Sequence, residues 1–361
     1  MSWKNISPRE DTILFSFWLS LQNKNFPARA MRIEIFTKSH ELPQLIDGPI
    51  QHSALMFRSI EGSSVGKPYM LVAYDDTGKE QAHMLMIKKR DIRLIPPVLS
   101  VWYSIQGEGA YSKECRDIRE RETIFTFFLE KIFDIFDFRH TFIEIQNIND
   151  ARFAYGTLSK HSFVPVRDRR IYISLHSKAP QERLTRPYRS HIRKAEERGV
   201  TTRCATNDKE IDEALTLLRN FYRSKTRKRL PDTKSLFKLL HNSDGSLSKS
   251  AKMFLVIYKE RIIGSSICLY EEGRAYLAYS CGLRKRFPLQ FPGIMAIWAA
   301  LSDAYSQGYE HFEFLEVRGL SKLRRSYLGT IGNFGGKEVS TLRWYHFKWN
   351  WINNILRWIY V

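Results

Sequence analysis

The chain is organised around residues 252–316, which read KMFLVIYKERIIGSSICLYEEGRAYLAYSCGLRKRFPLQFPGIMAIWAALSDAYSQGYEHFEFLE. Two short runs rich in β-branched and aromatic residues, 253–258 and 262–270, are typical of strands that are buried on both faces. The polar residues between them predict a tight turn, and therefore a β-hairpin. A third run, 275–281, predicts the next strand of a meander, because its side chains alternate between two faces.

A helix with clear start and stop signals follows the third run. Pro292 suits the first turn of a helix, where its missing N–H has no intrahelical partner, and Gly308 suits the left-handed position just past the end. Apolar residues lie almost all round the helix between them, so we expect it to be buried against the sheet. Residues 312–315 then predict one more short strand.

A basic loop that contains Arg284, Lys285 and Arg286 connects the third strand to this helix. The free N–H groups and the dipole of a helix N-terminus attract anions, so the arrangement predicts a phosphate site around Pro292 and Gly293. The alternative is a basic surface loop that only keeps the protein soluble. Spacing alone does not decide between the two.

Four pieces of sequence, taken in order, resemble the GNAT superfamily of acyltransferases and in particular its FemAB/FemX-like branch. They are residues 192–200 (IRKAEERGV), Gly264 in the second strand, the helix from Pro292 to Gly308, and residues 334–337 (FGGK). Together they span about half of the chain, and their order is more specific than any single piece. The resemblance implies an α+β fold of two GNAT-like domains, each a mixed, mostly antiparallel sheet flanked by helices.

The resemblance also implies an enzyme that moves an acyl or aminoacyl group to an amine or hydroxyl, on a small molecule or a cell-envelope precursor. The donor would be an acyl-CoA such as acetyl-CoA, or alternatively an aminoacyl-tRNA. In Fem-type enzymes a Phe-Lys pair closely precedes the final Phe-Gly, whereas Thr330 and Ile331 hold these places here. This departure argues against aminoacyl-tRNA unless Arg325 substitutes for the lysine.

Individual roles follow from the same resemblance. Strand 275–281 would hydrogen-bond the amide arm of the donor, and Tyr279 would donate a proton to the leaving group. The acceptor would attack the donor carbonyl directly, so catalysis is mainly positioning, and Glu108 or Glu316 would take up the proton. The predicted donor-binding residues are Tyr279, Ser280, Arg284, Lys285, Arg286, Pro292 and Gly293.

Glu108 stands out because a glycine lies on each side of it. Gly107 and Gly109 let the backbone come close to a ligand and present the carboxylate from a loop. The alternative is a tight turn with a solvated glutamate, since one Gly-Glu-Gly is weak evidence. We expect Glu108 to face a cleft between the two domains, where the resemblance implies that acceptors bind.

Composition restricts the class of partner. Lys and Arg number 57 against 38 Asp and Glu, so the formal net charge is +19. This charge predicts an anionic partner: nucleic acid, a phosphorylated cofactor or an acidic membrane surface. The cysteines and histidines lack metal-ligand spacing, so we expect no metal, and the cysteine usage indicates a reducing, cytoplasmic compartment. The alternative function is a catalytically silent, basic two-domain protein that binds RNA or an anionic envelope lipid.

Local sequence patterns and the resemblance together divide the chain into four segments. Residues 1–30 are predicted to be a poorly packed extension, 31–180 the N-terminal GNAT-like domain, and 181–346 the C-terminal acyltransferase domain. Residues 347–361 form an aromatic, amphipathic tail that is too short to span a bilayer. The tail either docks on the core or makes peripheral contact with the inner face of a membrane.

Within the first domain, local patterns predict several elements. Residues 69–74 and 81–87 flank a turn at DDTG and predict a hairpin. Apolar residues recur at helical spacing over 124–136, and 141–146 is strand-like. The polar sequence NIND, 147–150, is predicted to cap a short helix toward Lys160.

Overall fold

The computed structural model describes residues 31–90, 100–137, 140–146, 150, 152–176, 178–226, 230–315 and 329–360. The predicted extension 1–30 and the predicted proton acceptor Glu316 lie outside these ranges, as does Arg325. The strands are β1 Arg32–Phe36, β2 Lys67–Tyr74, β3 Glu80–Arg90, β4 Val101–Gln106, β5 Ala110–Tyr111, β6 Phe142–Gln146, β7 Val164–Ser174, β8 Thr201–Cys204, β9 Ala251–Tyr258, β10 Arg261–Glu271, β11 Arg274–Gly282, β12 His311–Phe314 and β13 Lys337–Phe347.

Helices separate and follow these strands. The α-helices are α1 Ala54–Ile60, α2 Ile118–Ile135, α3 Tyr155–Lys160, α4 Pro180–Arg183, α5 Arg186–Glu197, α6 Asp208–Phe221, α7 Thr233–Leu240, α8 Pro292–Ser306 and α9 Asn350–Tyr360. Short 3-10 turns lie at Ser39–Glu41, Ile50–His52 and Pro288–Gln290, and a π-helical turn at Tyr222–Thr226 continues α6.

Over the described ranges the strands form one sheet, in the order β1-β2-β3-β4-β6-β13-β7-β12-β11-β10-β9-β8, with β5 paired to β3. The pairs β4/β6 and β11/β12 are parallel and the other neighbours are antiparallel. The predicted α+β class is confirmed. The two halves, however, share one continuous sheet instead of having a separate sheet each.

The last strand joins the two halves. β13 lies between β6 and β7, pairing Lys337–Tyr345 with residues 172–164 of β7 and Arg343–Phe347 with residues 146–142 of β6. Both partner strands come from the N-terminal half of the sequence. The boundaries at residues 180 and 346 stay predictions, but the backbone hydrogen bonds of β13 tie the end of the chain into the first half.

The hairpin predicted at residues 253–270 is confirmed. β9 and β10 pair antiparallel from Tyr258 and Arg261 onward, and Lys259 and Glu260 adopt positive φ angles of 48° and 62°. Two left-handed residues in a row match the type I′ geometry that suits a two-residue hairpin. The hairpin predicted around residues 75–78 is confirmed as well, as β2 and β3.

The predicted buried helix is α8, which ends just before Gly308, whose φ angle is 79°. With α5 it covers one face of strands β9–β12, and α6 and α7 cover the other face. In the first half α2 covers one face and α1 the other. Helix α1 packs against α7, so the two halves meet through helices as well as through the sheet.

The predicted cap of the short helix α3 is wrong. Its N-cap residue is Ala154, in the left-handed conformation with φ 52°. Asp150 instead accepts a hydrogen bond from the Arg152 N–H at 2.8 Å, four residues before the cap, and 147–149 lie outside the described residues. Among the described helices, none combines the length and apolar character needed to cross a bilayer.

Candidate active site

A cavity of about 370 Å³ lies where the two halves meet. Helix α1 and strand β3 of the first half form one side of it, and helix α7 with strand β11 of the second half forms the other. Apolar side chains dominate its wall. The lining residues are Gln51, Met56, Ser59, Ile60, Val65, Leu85, Ile87, Lys89, Gln106, Tyr222, Pro231, Ser235, Leu236, Leu239, Leu269, Ala278, Tyr279 and Leu315.

Tyr279 is the predicted catalytic residue that lines this cavity. A β-bulge precedes it: Cys268 of β10 pairs with Leu277 and Ile267 with Tyr279, so Ala278 is the extra residue. Such bulges redirect side chains next to functional sites. Burial raises the pKa of Tyr279 to about 12, so its hydroxyl stays protonated at neutral pH and can donate a hydrogen bond.

Strands β11 and β12 stay together for only part of their length. Their parallel pairing runs from Arg274 and His311 to Leu277 and Phe314, whereas β11 continues to Gly282. Leu315, the next residue after β12, already lines the cavity. The described part of β11 that holds Tyr279 and Ser280 therefore extends beyond its pairing with β12, which suits binding of an extended ligand arm.

The N-terminus of α8 packs closely on β10 and on the end of β11. A Cβ added to Gly282 would lie 2.3 Å from the Gly293 nitrogen, and one added to Gly264 would lie 2.9 Å from the Pro292 oxygen. Only glycine permits this approach. Toward the other side, a Cβ on Gly293 would meet no atom within 4 Å, so space remains in front of the helix end among the described residues.

The first turn of α8 is suited to an anion. Its N-cap residue, Phe291, has a positive φ angle of 47° and, within the described chain, no side-chain capping hydrogen bond. A bulky residue in this conformation is strained, and such strain often marks functional sites. Phe291 stacks on His191 of α5 with ring centroids 4.2 Å apart, which holds the turn in place.

Basic residues precede this turn in the chain. Arg284, Lys285 and Arg286 are all exposed in the loop before α8, as predicted. Burial, and then the charges of Lys194 and Arg284, lower the pKa of His191. These cations and the helix dipole both attract negative charge, so a phosphate group suits the site.

Glu108 lies near this cavity without lining it. Gln106, two residues earlier, is part of the wall, but the Glu108 carboxylate accepts the Asp150 N–H at 2.8 Å. Burial raises the pKa of Glu108. Gly107 and Gly109 have positive φ angles of 89° and 99°, so the tight turn does require glycine on both sides. The role of Glu108 as proton acceptor stays a prediction.

A buried ion pair that the sequence analysis missed lies next to Glu108. Arg170 of β7 donates from Nε to Oε1 of Glu313 on β12 at 2.8 Å, and its Nη2 donates to the other oxygen. Glu108 and Arg170 are close enough to interact electrostatically. The sequence did contain one sign of this pair: Glu313 lies between two aromatic residues in a strand predicted to be buried, and a buried carboxylate needs a partner.

A second missed link joins the halves through Glu271. Its Oε1 accepts the Tyr276 hydroxyl at 2.5 Å, and its Oε2 accepts the Ile50 N–H at 3.1 Å. Burial raises the pKa of Glu271. Ile50 belongs to the first half and Tyr276 to β11, so this carboxylate links the two halves at Ile50, one residue away from Gln51 of the cavity wall.

Three described side chains could together hold a metal ion: His176, Glu310 and His311, whose candidate ligand atoms lie within 4.8 Å of one another. Sequence spacing gave no sign of this group, because His176 follows β7, whereas Glu310 precedes β12 and His311 begins it. They lie where β12 starts, whereas the cavity lies where β12 ends. The group is therefore separate from the candidate active site.

Residues 183–321 match a family model described as an acetyltransferase (GNAT) domain. A search of curated proteins finds no significant match. Among solved structures, FemX superimposes with a TM-score of 0.60 at 10% identity, over 86% of this chain and 95% of FemX. The C-terminal domain of a putative lysylphosphatidylglycerol synthetase from Agrobacterium fabrum gives 0.53 at 9% identity, over 85% and 91% of the two chains.

The structure of L-PGS from Bacillus licheniformis gives a TM-score of 0.51 at 12% identity, over 78% of this chain and 86% of that chain. At such identities the likeness concerns the fold. The matched range 183–321 contains β11, the basic loop and α8, where the sequence predicted the donor site. The predicted GNAT domain is found at residues 183–321, and the chain as a whole shares the fold of FemX.

Proposed function

We propose that the protein is an acyltransferase whose donor lies along β11 and whose acceptor enters the cavity between the two halves. One observation carries the proposal. Tyr279 lines the cavity where β11 continues beyond its pairing with β12, and the loop after β11 leads to the N-terminus of α8, which has no side-chain cap among the described residues. A reacting group at one end and a phosphate at the other would thus be held by one strand–loop–helix unit.

The geometry favours an acyl-CoA, such as acetyl-CoA, as the donor. Coenzyme A combines phosphate groups with an extended amide arm. The phosphates suit the N-terminus of α8, and the arm suits the part of β11 that continues beyond its described pairing with β12. Tyr279 and Gly282 are three residues apart, so about 10 Å of strand separates the cavity from the helix end. Aminoacyl-tRNA is the alternative donor, although Thr330 and Ile331 stand where Fem-type enzymes have Phe-Lys.

The acceptor would be an amine or a hydroxyl on a small molecule or a cell-envelope precursor. The cavity wall is mainly apolar, with Lys89, Gln106 and Gln51 as its larger polar groups. Such a wall suits a ligand with an apolar body and a few hydrogen-bonding groups. Since acyl-CoA is made inside the cell, we place the reaction in the cytoplasm.

In the proposed reaction the acceptor nitrogen or oxygen attacks the thioester carbonyl, and the C–S bond breaks. The coenzyme A thiolate leaves and takes up a proton, which the Tyr279 hydroxyl would donate. The proton lost by the acceptor passes to a carboxylate, for which Glu108 and Glu316 are the candidates. Most of the rate enhancement comes from holding donor and acceptor together.

Donor binding tests the proposal. Coenzyme A and acetyl-CoA at 100 times their dissociation constants should raise the free energy of unfolding by about 2.7 kcal/mol, seen as a higher melting temperature. The alternative, a silent protein that binds RNA or anionic lipid, rests on the net charge of +19. It predicts no stabilisation by either nucleotide, and RNA affinity that falls steeply with salt.

A further inference from the structure

The C-terminal helix α9 is fixed to the sheet by one buried side chain. Asn353 donates from Nδ2 to the Phe347 carbonyl and accepts the Phe347 N–H at Oδ1, both at 2.8 Å. Asn353 is the buried residue of α9, and the helix packs against β7 and β13. These hydrogen bonds set the orientation of α9, because they turn the side with Asn353 toward the sheet and the opposite side away from it.

The outer face of α9 is its apolar face. Trp351 is 63% exposed, Ile355 48%, Trp358 87% and Ile359 55%. Their spacing of four, three and one residues places them along one side of a helix. A surface helix ordinarily turns its apolar side to the core, whereas α9 turns a polar asparagine inward and two tryptophans outward.

The charge around this face indicates what it contacts. α9 has no acidic residue, Lys348 lies three residues before Trp351, Arg357 directly precedes Trp358, and the whole chain has a net charge of +19. Tryptophan prefers the interface between water and lipid, and basic residues next to it attract anionic headgroups. Four side chains on one short helix are also far fewer than the roughly 20–30 residues per partner of a stable protein interface.

We propose that the face formed by Trp351, Ile355, Trp358 and Ile359, the outer face of α9, docks on a membrane surface with anionic lipids. The helix has 11 residues and lies in the plane of the interface, with its aromatic side chains at the boundary between the headgroups and the acyl chains. The inference stands apart from the proposed reaction, because it concerns lipid binding alone.

Vesicle sedimentation of the full chain tests the inference. Wild-type protein should sediment with vesicles of phosphatidylcholine and phosphatidylglycerol, and much less with phosphatidylcholine alone. The double variant Trp351→Ser/Trp358→Ser should bind the mixed vesicles at least about tenfold more weakly, because the two largest interfacial side chains are lost. The control Ile118→Ser/Leu247→Ser removes two exposed apolar residues elsewhere and should bind like wild type.

Three results would overturn the inference. Wild-type protein could stay in the supernatant with both kinds of vesicle, or the double variant could bind as tightly as wild type. Light scattering could instead show a wild-type dimer that the double variant breaks, which would make a second copy the occupant of the outer face. Both substituted residues are exposed, so an unchanged circular dichroism melt will show that the variant is folded; Trp358→Ser alone gives a second, milder test.

Discussion

At the scale of single residues, the proposed chemistry depends on Tyr279. It is the predicted catalytic side chain that the fold brings into the cavity, through a bulge that no sequence pattern revealed. The sequence pointed to Glu108 because a glycine lies on each side of it. The positive φ angles of the turn already explain both glycines without a ligand. The Arg170–Glu313 pair, whose members are 143 residues apart, could not be paired from sequence, because strand register across the two halves is not encoded locally.

Replacing Tyr279 by Phe should lower kcat for acyl transfer at least tenfold, since general acid catalysis contributes roughly 10²–10⁴-fold. The KM for acyl-CoA should change by less than about twofold, because the hydroxyl acts on the leaving group. Steady-state kinetics with acetyl-CoA measures both. An unchanged kcat in a folded variant would remove Tyr279 from the mechanism.

Substituting His52 should weaken the dependence of stability on pH. Burial, and then the nearby His83, lower the pKa of His52 to about 3, and its Nδ1 accepts the Leu85 N–H at 2.9 Å. Below pH 6.5 the unfolded chain binds a proton that the folded chain does not, so the free energy of unfolding falls by about 1.4 kcal/mol per pH unit until about pH 3.

In His52→Gln this contribution disappears. Denaturant melts at pH 7 and pH 5 should show a smaller loss of stability in the variant than in wild type. Equal losses in both proteins would mean that His52 is not held neutral in the fold. His40, which is exposed, gives the control variant His40→Gln, for which the loss should match wild type.

At the scale of elements, the sequence predicted the β9–β10–β11 meander and the helix α8 well. Hydrophobic runs, a two-residue turn, and the Pro292 and Gly308 signals are all local, so they can be read without knowing the fold. The cavity was harder to predict, because its wall combines α1 and α7, which are far apart in sequence. The predicted cap at 147–150 failed because a polar run signals a turn as readily as a helix start.

The close approach of α8 to the strands predicts a contrast between two glycines. Gly282→Ala should lower the free energy of unfolding by about 1–3 kcal/mol, because the new methyl group would overlap the backbone of Pro292 and Gly293. Gly293→Ala should leave stability within about 0.5 kcal/mol, since a Cβ there meets open space. Urea denaturation of both variants checks this, and equal effects would contradict the packing described for α8.

At the scale of the whole molecule, β13 makes the two halves one sheet. Its insertion between β6 and β7 could not be predicted from the sequence, because a strand pattern does not show which other strands it pairs with. The halves resemble each other in layout, as predicted, but the first half is completed by the end of the chain. We therefore expect the two halves to unfold together.

A chain that ends at Gly336 should lose cooperative thermal unfolding, because β6 and β7 would both lose their shared partner. A chain that ends at Trp349 lacks only α9 and should still melt in one transition. Calorimetry of the two truncations distinguishes these cases. A cooperative melt of the shorter chain would show that β13 is dispensable.

The central claim, a donor site formed by the basic loop and the N-terminus of α8, is tested most directly by titrating coenzyme A. The variant with Arg284, Lys285 and Arg286 replaced by Gln should fold normally, since exposed charges contribute little to stability. Loss of one charge-assisted contact to phosphate, about 1.5–3 kcal/mol, raises the dissociation constant at least tenfold. The control replaces Lys113, Arg116 and Arg119, exposed cations of the first half, by Gln.

Calorimetric titrations of the three proteins at low and moderate salt decide the matter, with aminoacyl-tRNA as a second ligand in the same series. The account predicts that wild type and control bind coenzyme A equally, and that the loop variant binds at least tenfold more weakly at both salt concentrations. A difference that vanishes at moderate salt would reflect only long-range attraction. Equal binding by all three proteins, or no binding of coenzyme A to wild type, would contradict the claim.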